Sequence, residues 1–486
     1  VYIQDKWQPF NRLTLNLGFR TERESVPSFS SGLDGLKFNW GDKIAPRVGA
    51  AFDITGDGKT KVSAFYGWFY DRFKYELPRG SFGGQFFHDF YYEIFPGDTL
   101  ATFTPANILG GGTAVVGGSC PNTTTPIFGR VRCDLDFRVP SNSGLGIEFG
   151  AIDPDLKAFR NSEFTVTFER ELNSDFIASG RYTRKQVDFA IEDAGFLTST
   201  GSEAYIIGNP GRGLYAQVAQ ANGLLNLKPQ RQYDALELRL DKRFSKNYYF
   251  NLNYTYSRLY GNYSGLASSD EDGRVSPNVN RFFDLPHAGF TVRGGADNGL
   301  LATDRPHALK FYGAYSLNWE QLGFGKNNTT EFQAFTTAQS GTPLTTTVDI
   351  LNIDTIVLSK RGDLGRTGVF TQTDFAVRHR YKFGRDNRFT LVVETDILNL
   401  FDEKNELSRN NLLSITNFDI TDPALGIITA AESTQANAYS LALARFQRNG
   451  GAAIETAARA NLYPLFNKTN SFQGPRSVRF GFRLLF

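Results

Sequence analysis

The residue types that carry most protein chemistry are few in this chain and widely separated. The four histidines, His88, His287, His307 and His379, stand singly along 486 residues, none beside cysteine or paired carboxylates at the spacing of a zinc site. His307, in the run DRPHALK at the start of an alternating segment, reads as structural or interfacial. The sequence has no nucleophile elbow, phosphate-cradling glycine loop or HExxH run, so no catalytic residues are assigned and enzyme activity is not expected. Cys120 and Cys133, 13 residues apart, are the only cysteines. In an oxidising compartment a disulfide within one loop is their simplest use, with free thiols or a metal pair as the alternatives. The acidic run Asp270, Glu271, Asp272 gathers oxygens as a hard cation such as Ca2+ requires, and a solvated turn is the competing reading. Asp53, Thr55, Asp57 and Gly58 resemble a calcium loop only faintly, because the twelfth position is Ala64 rather than Glu, and they read as an Asp-Gly turn. For ligand capture the aromatic and polar group Phe86, Phe87, His88, Tyr91 and Tyr92 is the best candidate, since rings give contact area at small entropic cost. The same rings could instead form a membrane girdle.

The elements that would position these residues are strands. Ser477 to Phe486 alternates strictly, with Val478, Phe480, Phe482, Leu484 and Phe486 on one face and Ser477, Arg479, Gly481, Arg483 and Leu485 on the other. An aromatic face opposite a charged one suits a transmembrane barrel, in which one face meets lipid and the other a wet lumen. Composition agrees: aromatics reach 14% and there are 48 glycines, while mean hydropathy is −0.32. No run approaches the ~18–20 apolar residues of a membrane helix. A net charge of +2 from 52 basic and 50 acidic residues gives no support for nucleic-acid binding, and no nucleic-acid partner is expected.

Alternation predicts strands over residues 1–8, 13–22, 44–53, 61–72, 160–172, 174–188, 231–244, 246–260, 306–318, 327–338, 371–383 and 388–401, besides the terminal one. Short and long connections alternate between them, as in barrels with tight turns on one side and long loops on the other. The segment 73–159 loses the alternation and reads as a functional loop, and the last long loop, 402–474, should contain helix over 422–459. The expected fold is therefore all-β: an antiparallel transmembrane β-barrel, of which about 13 strands are present out of about 22 in a plugged transporter, because an odd, open set is not a whole bacterial barrel. With no Met in the chain and no leader before Val1, the sequence reads as starting inside a longer protein.

Several stretches, in order, resemble TonB-dependent outer-membrane receptors of the Oar-like group, which carry a carboxypeptidase-regulatory-like domain. They are YIQDKWQPFNRLTLNLGFR, APRVGAAFD with GDGKTKVSAFYGWFYDRF, QYDALELRLDKRFSKNYYFNLNYTYSRLYGNYSGL, DRPHALKFYGAYSL, SGTPLT, FTLVVETDILNLFDEKN and SVRFGFRLLF. The order Arg479, Gly481, Leu484, Phe486 is similar to the carboxy-terminal targeting signal of bacterial outer-membrane barrels, which implies the barrel assembly machinery as a partner. The resemblance makes residues 1–486 the carboxy-terminal part of the barrel and implies a plug domain, a TonB box and early strands elsewhere. It further implies an outer-membrane lipid setting, extracellular loops, a periplasmic carboxy terminus and a TonB complex that drives substrate through the plugged barrel. Substrates across the family include iron chelates, cobalamin, sugars and peptides. The alternative reading is a structural scaffold barrel that docks a surface protein or complex.

Overall fold

Among the described residues, thirteen strands run one after another into a single antiparallel sheet whose spatial order is the chain order. In this computed structural model the described residues are 1–27, 35–73, 88–92, 99, 131–136, 151–197, 203–221, 223–263, 290–351, 354–435 and 437–486. The strands are β1 (Tyr2–Phe10), β2 (Leu13–Arg20), β3 (Ala45–Asp53), β4 (Thr60–Tyr70), β5 (Arg160–Glu171), β6 (Phe176–Phe189) and β7 (Arg231–Ser245). They continue as β8 (Tyr248–Gly261), β9 (His307–Asn318), β10 (Asn328–Gln339), β11 (Phe370–Phe383), β12 (Phe389–Leu398) and β13 (Ser477–Leu485). A two-residue strand, Gly299–Leu300, adds a short pairing to β8. The strands expected from alternation all form, because a period of two gathers most of the apolar residues of each strand on one face and so fixes the register.

Registers are long and regular. β10 and β11 pair from Asn328↔Tyr381 to Gln339↔Phe370, and β12 and β13 from Thr390↔Leu485 to Leu398↔Ser477. Among the described residues β1 pairs only with β2, and β13 only with β12.

The connections at one end are short: 11–12, 54–59, 172–175, 246–247, 319–327 and 384–388. Those at the other end, such as 190–230, 340–369 and 399–476, are long. Sequence alone leaves little more than Ser245 for the turn between β7 and β8. The structure instead turns on Lys246 and Asn247, with φ of 51° and 70°. Two successive positive φ values match the right-handed twist of the flanking strands, and Asn tolerates that region well. The Asp53 turn also closes on itself, since the Gly56 and Gly58 amides donate to the Asp53 carboxylate at 2.9 Å each.

The segment 73–159 contains more order than its lapse of alternation suggests. His88–Tyr92 pairs antiparallel with Val131–Asp136, and Ala151–Ile152 lies parallel to Glu203–Gly208. Helix α1 (Gly213–Ala221) in the next long connection also goes beyond the sequence expectation, and it buries Tyr215, Val218 and Ala219. In the last connection the expected helix is divided into α2 (Ala430–Ser433), α3 (Ala438–Asn449) and α4 (Ala452–Ala460). The break between α3 and α4 falls at Gly450-Gly451, where Gly450 takes φ 71° and leaves Arg293 backbone too close for a side chain.

The core sits in the long connections rather than in the sheet. Phe290 and Val292 from one connection, Val348, Ile350, Ile356 and Leu358 from a second, and Leu413, Phe418, Ile420, Ala442, Leu443, Phe446 and Ile454 from a third form one buried cluster. Phe290 and Phe446 meet edge to face at 5.2 Å, an arrangement worth about 0.5–1.5 kcal/mol beyond the area it buries.

Candidate functional site

The two faces of the sheet differ as the sequence predicts, and their chemistry follows from cross-strand pairing. On the outward face Thr395↔Phe480, Val393↔Phe482 and Leu391↔Leu484 lie opposite one another, and Phe480 and Phe482 are each 73% exposed. Exposed apolar side chains recur around that face at Leu17, Val48, Tyr66, Phe164, Phe168, Leu236 and Leu238. An apolar band of this extent is out of place in water and suited to hydrocarbon.

The inner face carries charge pairs that step across neighbouring strands. Lys61 meets Glu169 at 2.5 Å, Lys185 meets Glu163 at 3.0 Å and Arg181 meets Glu237 at 3.0 Å. Further along, Arg380 lies 3.6 Å from Glu331, and Glu394 takes Arg483 at 2.7 Å and Arg378 at 3.6 Å. Exposed pairs of this kind contribute about 0–1 kcal/mol each, so their main effect is to keep the wall wet and polar. Tyr249 and Tyr312 bring their hydroxyls within 3.1 Å in the same wall. Between strands lie cavities of about 510 Å³, bordered by Phe69, Asn161, Glu163, Lys185 and Tyr233, and about 360 Å³, bordered by Glu237, Arg239, Asn251, Asn253, Lys310 and Tyr312. Amides and ions of both signs can hold polar solutes or a polar protein surface.

Above the wall, the long connections are locked by ion pairs, most of them between residues far apart in sequence. Arg361 pairs with Asp297 at 2.9 Å, with both side chains buried, and Arg366 pairs with Asp304. Glu455 accepts two hydrogen bonds from Arg293 at 2.8 Å each and two from Arg459 at 3.0 and 2.8 Å. These arginines, Arg293 first, lower the Glu455 carboxyl to about 2. Glu432 is lowered to about 2 by Arg445 and by the Thr429 backbone and hydroxyl, and Glu406 to about 2 by Arg409 and Thr469. Gly341, within SGTPLT, has no room for a Cβ, which would stand 1.9 Å from the Thr367 carbonyl oxygen. That glycine lets two stretches of one connection touch.

The residues singled out by sequence fall as follows. His88, Tyr91 and Tyr92 lie on the strand His88–Tyr92, and the register places Tyr91 opposite Cys133. Phe86, Phe87, Cys120, His287, Asp270, Glu271 and Asp272 lie outside the described residues. His307 is at the outward rim, where its Nδ1 and the Tyr254 hydroxyl are 2.7 Å apart, and His379 Nδ1 lies 2.8 Å from Thr330 Oγ1. Arg479 and Gly481 face inward on β13, whereas Leu484 lies on the outward face and Phe486, just past the strand, is 89% exposed. A Cβ on Gly481 would stand 2.8 Å from the Glu394 carboxylate, so the glycine makes room for the Glu394–Arg483 pair. Among the described residues no group of three or more His, Cys, Asp or Glu is placed to hold a metal ion.

One buried charge that sequence reasoning missed is Lys242. It lies on the apolar face of β7 yet is only 3% exposed, with its ammonium over the Phe176 and Tyr248 rings at 5.6 and 4.6 Å. It donates to Ser245 and to the Arg243 carbonyl oxygen, at the short-turn end. Its stem covers apolar surface while its charge reaches the polar rim, as long basic residues do at membrane boundaries.

Comparison with known proteins points the same way. Residues 31–395 match the family model described as "Outer membrane beta barrel domain". The whole chain aligns at 28% identity over 507 positions with the TonB-dependent transporter Oar of Myxococcus xanthus, covering 42% of that protein. Among solved structures, the outer membrane transporter YddB from Escherichia coli is similar at 10% identity and a TM-score of 0.47, over 84% of this chain and 50% of that one. The ferric yersiniabactin uptake receptor FyuA from Yersinia pestis is similar at 11% identity and a TM-score of 0.37, over 84% and 40%. The chain thus spans half or less of the length of each of these proteins.

Proposed function

Because the chain belongs to the outer membrane beta barrel domain family, we propose that it forms the carboxy-terminal part of the wall of a TonB-dependent transporter. The carrying observation is that the alignment with the Myxococcus xanthus transporter runs through all of this chain, strands and long connections alike. In this reading the long connections lie outside the cell and capture a substrate, and the short turns and Phe486 lie in the periplasm. A plug contributed by the rest of the protein sits against the inner wall, held by polar contacts of the Lys185–Glu163 and Arg181–Glu237 kind. The periplasmic TonB protein then displaces the plug, and the wall itself does no chemistry. Arg479, Gly481, Leu484 and Phe486 serve earlier, as the signal by which the assembly machinery takes up the last strand.

The test is made on the protein extracted from its native membrane with all of its flanking sequence. Its intact mass is compared with the 54.2 kDa of this chain, and its binding to purified periplasmic TonB domain is measured by pull-down. A much heavier product that binds TonB saturably is expected. A product that never binds TonB would remove the transporter reading and leave a barrel without energised transport.

A further inference from the structure

The outward face of β6, β7 and β8 changes character within one step of the ladder at its long-connection end. One row consists of Tyr182, Leu236 and Tyr256, directly opposite one another. In the next outward-facing row toward the long connections, the register aligns Arg184, Asp234 and Arg258. One carboxylate therefore lies between two cations in the ladder, just where the exposed apolar band that includes Leu236 and Leu238 ends.

The carboxylate is already engaged. Asp234 accepts from the Tyr182 hydroxyl at 2.7 Å on one oxygen and from Gln232 Nε2 at 2.7 Å on the other. Arg184 comes only within 3.8 Å of it, with a side chain 47% exposed. Arg258 is exposed, its guanidinium 4.4 Å from the centre of the Tyr260 ring. Asp234 therefore stands between the two arginines without taking up their donors. His307, opposite Tyr256 and 5.2 Å from its ring, extends the polar and aromatic fringe onto β9.

We propose that this row binds the phosphate of an anionic lipid headgroup in the membrane leaflet that meets the long-connection rim. Planar guanidinium groups match phosphate oxygens with paired, charge-assisted hydrogen bonds. The tyrosines beneath supply the amphipathic surface that headgroup and glycerol regions favour. A free anion in water would gain nothing from the apolar band below the arginines, whereas a lipid would place its acyl chains against it. The inference rests on the wall spanning a membrane, not on the transport reading.

The experiment uses the full-length protein in a neutral detergent, given equal amounts of dioleoyl phosphatidate and dioleoyl phosphatidylcholine, with retained lipid counted by native mass spectrometry. Each arginine near a charged headgroup is worth roughly fivefold in retention. The wild-type protein should therefore prefer phosphatidate by about twentyfold, the R184Q/R258Q variant should lose most of that preference, and R385Q, at the opposite rim, should keep it. Heat-dependent mobility on gels checks that each barrel is folded. If the double variant does not fold, R258Q alone decides, with an expected loss of about fivefold, because Arg258 makes no ion pair among the described residues. Equal retention of both lipids by the wild type, or unchanged preference in the folded variant, overturns the proposal. Displacement of phosphatidate by an equal concentration of inorganic phosphate also overturns it, since the site would then take a free anion.

Discussion

Glu455 holds Arg293 and Arg459 together, and only half of that arrangement was legible in the sequence. The Glu455–Arg459 pair sits at the i, i+4 spacing of a helix and can be read directly. Arg293 lies 162 residues away, so its contact depends on tertiary folding that no local pattern records. The lowered carboxyl has a definite pH consequence. A carboxylate whose folded value is near 2 against an ordinary 4.5 stabilises the fold fully above about pH 4.5, and the contribution disappears as pH falls from there through 2. Hydrogen exchange over residues 452–460, corrected for intrinsic rates, should therefore accelerate between pH 5 and pH 3 in the wild type but hardly change over that range in E455Q. Equal acceleration in both proteins would show that Glu455 does not hold α4. Gly481 makes a second residue-scale test. G481V should displace Glu394 from Arg483 and slow the appearance of folded, heat-modifiable barrel. Assembly at the wild-type rate would mean that the room beside Glu394 is not needed.

Among the elements, the thirteen wall strands were legible because alternation of period two dictates both faces and register. Helix α1 was not, since GLYAQVAQA is short and has no acidic residue in its first turn or basic residue in its last, and it is held by burial of Tyr215 and Ala219 against neighbouring residues. The β7–β8 turn is legible only in part: Asn247 suits a positive φ, whereas Lys246 does not. K246G should therefore stabilise the hairpin by roughly 1 kcal/mol, read as a rightward shift of the urea midpoint in lipid vesicles. A leftward shift would show that the Lys246 side chain makes a contact worth more than the backbone strain. In α3, Phe446 is fully buried against Phe290. F446A should cost about 3–5 kcal/mol, registered as faster proteolysis of the last long connection while the wall strands stay protected. Loss of the whole barrel instead would mean that α3 and the wall fold as one unit.

For the whole molecule, the faces of the wall and their opposite chemistry could be read from sequence, but the layer formed by the long connections could not. Its core draws Phe290, Val348, Leu413 and Phe446 from three connections that wall strands separate along the chain, and none of them announces the others. The wall and this layer should consequently melt apart. In mild denaturant, near-ultraviolet circular dichroism from the packed aromatics should fall before the far-ultraviolet strand signal does. Coincident loss of both would show a single cooperative unit. The placement of the core also reverses the usual geography of mutational tolerance. In most folds the connecting segments drift freely and the strands between them are held. Here an outward wall position such as Phe480 need only remain greasy, whereas Leu443 or Ile454, in nominal loops, has a shape to match. Sequence divergence among close relatives should then concentrate on the lipid-facing half of the strands and on exposed connection tips, and the buried segments of the connections should change slowest.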